Sequence, residues 1–186
     1  MHFLKSSASV SRSSAWRLTF LWRCGILNIE KSVFLKVIKM NITKVEKDKK
    51  QYLSLLLLAD EQEDMIDRYL ENGTMYILDD NGIKAECVVI DVGNRVLEIK
   101  NIATVSEFQG NGYGRQLIDF LAEFYTNDFD VLQAGTGDSL LTIPFYEKCG
   151  FKRHHTVKNF FVDNYDRPII ECGIQLIDMI YLQKQI

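Results

Sequence analysis

Gln109-Gly110-Asn111-Gly112-Tyr113-Gly114-Arg115-Gln116 is the stretch on which the reading of this chain turns. Three glycines at alternate positions let the backbone take left-handed turns and approach a ligand closely. An amphipathic helix follows, with Leu117, Ile118, Leu121 and Phe124 on one stripe. A helix entered from such a loop presents the unpaired N–H groups of its first turn, and that geometry binds phosphate. Three readings compete: an NAD-type Rossmann turn, a nucleotide P-loop, or a coenzyme A pyrophosphate cradle. The P-loop needs Gly-Lys-Ser/Thr at its end, which Gly114-Arg115-Gln116 lacks. The Rossmann turn follows the first strand of a parallel βαβ unit, whereas here it follows a meander of strands.

Upstream, Asn41 to Glu46 alternates as a short edge strand, and Asp48 reads as the N-cap of a helix running through Leu58. A second helix carries Met65, Ile66, Tyr69 and Leu70 until Asn72-Gly73 stops it. Thr74 to Leu78 and Ile83 to Asp91 flank Asp79-Asp80-Asn81-Gly82 as a hairpin, and Val96 to Val105 is the third strand of the meander. Downstream come a strand from Val131 to Ala134, a loop bearing Gly135 and Gly137, and a short helix to Lys148 stopped by Cys149-Gly150. Phe151 to Val162 and Ile174 to Leu182 read as two closing strands. The expected fold class is α/β: a mixed, mostly antiparallel twisted sheet flanked by helices, with one parallel crossover through the glycine-loop helix.

At 186 residues, with 47% apolar and 25% charged residues, the chain is one ordinary domain with a real core, which excludes a multidomain enzyme and disorder throughout. Charge is divided unevenly. Up to Lys39, seven basic residues face the single acid Glu30; from Met40 onward, 15 basic residues face 24 acidic ones. The acidic part repels phosphate backbones, so nucleic acid is not an expected partner. Residues 1–39 form a basic, serine-rich extension with three readings: a misplaced start codon, a targeting segment, or an interaction arm on an acidic partner or membrane surface. No apolar run is long enough for an integral membrane segment. Cys24, Cys87, Cys149 and Cys172 lie far apart, so no metal site or disulfide framework is expected, and the setting expected is cytoplasmic.

The glycine loop, preceded by Asn101-Ile102-Ala103-Thr104-Val105, resembles the Q/R-x-x-G-x-G/A signature of the GNAT superfamily of acetyl-CoA-dependent N-acetyltransferases. A second stretch, Phe145-Tyr146-Glu147-Lys148-Cys149-Gly150-Phe151, resembles the family's F-Y-E-K-x-G-F. The resemblance covers about residues 40–186 and implies a GNAT-type sheet, acetyl-CoA as cosubstrate and a small-molecule or protein amine as acceptor. It also implies an association into homodimers. Carried over, the backbone of Gly110, Asn111, Gly112, Tyr113 and Gly114 would hold the pyrophosphate, with Gln109 and Arg115 beside them. Ile102, Ala103 and Thr104 would hold pantetheine and the thioester.

In the same resemblance Tyr146 is the catalytic acid that protonates the departing CoA thiolate, with a helix-packing tyrosine as the plain alternative. Glu98 matches the strand position of the general base in the family's histone acetyltransferases, against a solvated strand residue opposite Lys100. Ser139 stands where the family often has an asparagine that contacts CoA. His154 and His155, adjacent on an expected strand, should point to opposite faces and serve surface roles. Asp163, Asp166, Glu171 and Asp178 would form an acidic rim or a solvated scatter, and Cys149 a packing residue. The alternative to an N-acetyltransferase is a GNAT-fold protein that retains CoA as a structural or sensing ligand without turnover.

Overall fold

The computed structural model describes residues 42–186. The extension 1–39 lies outside the described residues. Apolar alternation in the first half builds four antiparallel strands in chain order: β1 (Ile42–Val45), β2 (Thr74–Asp79), β3 (Ile83–Asp91) and β4 (Val96–Thr104). The glycine-loop helix α3 (Tyr113–Phe124) then crosses to β5 (Val131–Gly137), which pairs parallel to β4. The last strand, β9 (Met179–Gln185), inserts between β5 and β6 (Lys152–Val157), so the sheet order is β1-β2-β3-β4-β5-β9-β6. The mixed, mostly antiparallel sheet expected from the sequence is therefore present.

Each face of the sheet has its own apolar cluster. On one face Leu117, Ile118 and Leu121 of α3 pack against Cys87, Val89, Ile99 and Leu132, all buried. On the other, α1 (Leu53–Leu56) and α2 (Glu63–Leu70) bring Leu56, Ile66 and Leu70 onto Met75, Ile77 and Val88. The Lys49 ammonium donates to the carbonyls of Leu70, Glu71 and Gly73 at 2.6–3.0 Å, satisfying the C-terminal end of α2. Among the described residues no helix is long and apolar enough to cross a membrane.

Several local expectations need correction. Asp48 does not cap a helix: it sits at φ 52° with no side-chain cap bond, and a 3-10 turn over Lys49–Tyr52 precedes the short α1. Phe124 ends the apolar stripe of α3 but is 45% exposed, because Phe120 takes the core position. Gly135 and Gly137 lie within β5 rather than in a loop: a Cβ on either would meet Met179 Sδ or the Leu176 side chain within 2.7 Å. The expected strand through Val162 stops at Val157, and a helix, α5 (Phe160–Asn164), follows. A two-residue hairpin of β7 (Ile170–Glu171) and β8 (Ile174–Gln175) precedes β9.

One polar residue lies inside this frame without a partner. Glu86 on β3, between Ile77 and Ala103 of the neighbouring strands, is fully buried and neither carboxyl oxygen has a hydrogen bond. Burial pushes its pKa from 4.5 up to about 8; the nearby Ala103 N–H opposes that push but falls short of a hydrogen bond. Between those two values the folded state holds a proton that the unfolded chain has released. This contribution to stability is fully present below pH 4.5, declines as pH rises, and is lost by pH 8. Glu86→Gln is expected to stabilise the fold at pH 7 by on the order of 2 kcal/mol and to flatten this decline, measured by denaturant unfolding across the window. An unchanged slope would mean that the carboxyl is solvated.

Candidate active site

The site begins where two paired strands separate. β4 and β5 are in register from Val96↔Val131 to Ile99↔Ala134, and there the ladder ends. β4 continues to Thr104 against β3, and β5 continues to Gly137 against β9. The parting coincides with an irregularity in the β3–β4 ladder, where Val88 faces Asn101 but Val89 faces Ile99, leaving Lys100 as an extra residue on β4. The edge of β4 that β5 would have covered thus stays open over Lys100–Thr104, the segment containing Ile102, Ala103 and Thr104.

The glycine loop lies just beyond this open edge. Gly110 and Gly112 have φ 80° and 85°, a left-handed conformation that favours glycine, with open space where side chains would be. Gly112 is the N-cap of α3. The N–H groups of Gly110, Gly112, Tyr113, Gly114 and Arg115 donate to no turn or cap carbonyl, whereas the Asn111 N–H turns back to the Phe108 carbonyl at 3.4 Å. Among the described residues four of the five expected backbone donors are therefore free and Asn111 is not; the Arg115 N–H beside them is free as well. Gln109 also turns inward, its side-chain amide donating to the Thr104 carbonyl at 3.3 Å. The Arg115 guanidinium lies along the helix toward Asp119, 3.6 Å away. The Tyr113 hydroxyl donates to Asp80 at 2.9 Å and ties the start of α3 to the β2–β3 turn.

The second motif is a helix together with its own stop. In α4 (Thr142–Lys148) Pro144 falls in the first turn, where its missing N–H costs nothing. At the other end Gly150 takes φ 93°; the Phe151 N–H donates to the Tyr146 carbonyl and the Gly150 N–H to Glu147, at 3.1 and 3.0 Å. This is a Schellman motif, whose usual apolar contact is made by the Tyr146 and Phe151 rings, 5.3 Å apart. Tyr146 is 6% exposed, its hydroxyl makes no hydrogen bond to the described residues, and burial pushes its pKa well above that of an ordinary phenol. It therefore keeps its proton at neutral pH.

A cavity of about 490 Å³ runs from the parting of β4 and β5 toward the α1–α2 loop and α5, within the usual range for small-molecule sites. Glu98 lines it but is not the solvated residue of the plain reading: it is 6% exposed, accepting from Lys100 Nζ at 2.8 Å and from Gln133 Nε2 at 3.1 Å. Gln183 donates in turn to Gln133 at 2.7 Å, so a polar row crosses β4, β5 and β9. From the α1–α2 loop Asp60 also lines it, accepting from the Tyr165 hydroxyl at 3.0 Å and the Tyr69 hydroxyl at 3.4 Å. Asn101 donates to Tyr69 at 2.8 Å, completing a chain back to β4. Asp60, Tyr69 and Tyr165 escaped the sequence reading because 105 residues separate Asp60 from Tyr165 and neither lies in a motif.

The other candidates are less central. Ser139 is buried, and its hydroxyl accepts from the Leu141 N–H at 3.0 Å in the approach to α4. Of the four acids of the expected rim only Glu171 lines the cavity; Asp178 is held by Lys158 Nζ and the Asn159 N–H. His154 and His155 do not point to opposite faces: an irregularity in β6 turns both outward, with Nδ1 atoms 2.8 Å apart and His155 stacked on Tyr181. Cys149 packs in the core as expected.

This arrangement has clear relatives. An acetyltransferase (GNAT) domain model matches residues 71–153. A Bacillus subtilis (strain 168) protein described as an uncharacterized N-acetyltransferase, YvbK, is 34% identical over 147 residues, covering 77% of this chain and 95% of its own. A Bacillus subtilis acetyltransferase solved in complex with CoA superposes with a TM-score of 0.71 at 33% identity, over 78% of this chain and 98% of that one. An Elizabethkingia anophelis GNAT family acetyltransferase with acetyl-CoA bound superposes at 0.72 with 37% identity, over 78% and 99%. The open edge of β4, the free loop amides and these likenesses together show that the chain belongs to the GNAT superfamily of N-acetyltransferases.

Proposed function

We propose that residues 40–186 transfer the acetyl group of acetyl-CoA to a primary amine by direct attack, with Tyr146 as the acid for the leaving thiolate. The observation that carries this reading is the open edge of β4, which lies between a loop of free amides and a cavity with a buried carboxylate. The amides of Gly110, Gly112, Tyr113, Gly114 and Arg115 suit a pyrophosphate, as orphan donors at the start of a 12-residue helix. The edge of β4 that β5 leaves uncovered at Ile102, Ala103 and Thr104 suits the amide groups of pantetheine, with the Thr104 carbonyl already taken by Gln109. The cosubstrate supplies the activated acyl carbon; the chain positions it and moves protons.

Glu98 receives a proton of the incoming ammonium, directly or through water, so that the free amine attacks. Lys100 and Gln133 fix the carboxylate in place. Tyr146, protonated and without a hydrogen bond to the described residues, passes its proton to the sulfur as the carbon–sulfur bond breaks, and the remaining proton shed by the attacking nitrogen restores the phenol. A thiol ordinarily titrates near pKa 8.5, so the developing thiolate is stabilised by that donor without metal or covalent help from the protein.

Tyr146→Phe is expected to lower kcat by roughly 10–100-fold while acetyl-CoA affinity, read by calorimetry, stays within about threefold; equal losses in both would sink the assignment. Glu98→Gln should lower kcat near neutral pH by about 10²-fold, and the loss should shrink as pH nears the pKa of the acceptor amine. Gly112→Val forces a β-branched residue into φ 85° and is expected to weaken acetyl-CoA binding at least tenfold. Unaltered binding would place the pyrophosphate elsewhere.

A further inference from the structure

From the second carboxylate in the wall of the cavity we infer that the acceptor is a diamine, one ammonium held by Asp60 while its other amine reacts beside Glu98. This rests on the acetyl-transfer reading above. Asp60 is half-buried and lines the cavity, yet it forms no ion pair among the described residues. The three other acids of the lining are differently placed: Glu98 is paired with Lys100, Glu61 is exposed at the rim, and Glu171 lies in the small hairpin. Among the described residues Asp60 has no ion pair of its own: the Lys100 ammonium lines the same cavity and acts on it, but is bonded to Glu98.

Its geometry is fixed from two distant parts of the chain. The Tyr69 hydroxyl reaches one carboxylate oxygen from α2 and the Tyr165 hydroxyl reaches the other from beyond α5. A further bond, from the Asp166 N–H to Gln62 Oε1 at 3.0 Å, clasps the same two segments together. Burial raises the Asp60 pKa, and the Tyr165 hydroxyl, the Gln62 backbone, the Tyr69 hydroxyl and the Lys100 charge pull against that without cancelling it. A cation completes such a site. Phe160, Phe161 and Tyr165 line the cavity around it, and aromatic faces attract an ammonium.

With one carboxylate on β4 and another in the α1–α2 loop, the cavity holds two ammonium groups joined by an apolar spacer. Ile99, Met65 and Leu176 in the lining suit that spacer. Arg68, exposed at the mouth, bonds to Asn164 at 3.4 Å and leaves the Asp60 oxygens to the tyrosines.

The test compares α,ω-diaminoalkanes, n-alkylamines and ω-amino acids of matched length with the full chain and acetyl-CoA, following thiol release. Thermal shift by the same amines without acetyl-CoA gives a binding readout independent of turnover. Diamines should exceed monoamines in kcat/KM at least tenfold. Asp60→Asn should raise the diamine KM at least tenfold, leave kcat and the acetyl-CoA KM within about threefold, and remove the diamine's thermal shift. Tyr165→Phe, which leaves the carboxylate but loosens it, should raise the same KM by a smaller factor. Equal KM increases for monoamine and diamine, a fall in kcat alone, or a preference for ω-amino acids would overturn the inference, the last assigning recognition to Arg68. Diamine binding lost in Asp60→Asn but without thiol release from any amine would uphold the anchor and overturn acetyl transfer. Absence of both binding and turnover with diamines would overturn the diamine assignment itself.

Discussion

The parting of β4 from β5 after four paired residues is the constraint on which the site depends. Two adjacent parallel strands normally satisfy each other's backbone along their full length, and here each instead keeps its outer neighbour. β3 holds one side of the cleft and β9 the other, so backbone groups can be left unpaired on the inner edge without loss of the sheet. The extra residue at Lys100 supplies the local twist. It also sets the lysine within reach of Glu98, so the irregularity that opens the cleft places the first charged pair in it.

Around that opening the chain assigns different tasks to backbone and side chains. The glycine-loop end presents backbone amides freed by left-handed glycines, while Gln109 and Asn111 turn inward to shape the loop. Beside the open edge lie a buried phenol, Tyr146, and a buried carboxylate, Glu98. The rest of the cavity wall comes from segments outside the main sheet, held together by the hydroxyls of Tyr69 and Tyr165 on Asp60. Stability is given up along the way, since Glu86 and the Asn101 side-chain oxygen are buried without partners on the same face of the sheet.

What could be read from the sequence was what is local. The glycine loop, the helix after it, the hairpin turns and the F-Y-E-K stretch each declare themselves within a dozen residues, because left-handed φ values and helix caps demand particular residue types. Features set by distant packing did not. Gly135 and Gly137 look like loop residues, yet they are strand residues kept small by Met179, Tyr181 and Leu176. Phe160 to Val162 reads as the end of a strand and folds as the start of a helix, with the Phe161 N–H held by the Ile177 carbonyl. Asp60 is an unremarkable loop acid until Tyr165 arrives from the other end of the domain.

The stop that follows Tyr146 also insulates it. Because the ring is fixed by Phe151 and the helix is closed by Gly150 within the motif itself, the aim of the phenol is set before the chain enters β6. The chain after it is joined back to the same helix on the exposed side, where Arg153 of β6 lies 3.8 Å from Glu147. The buried ring is thus oriented by contacts inside one short motif, and the charges that tie the next strand to that motif lie in solvent, apart from it.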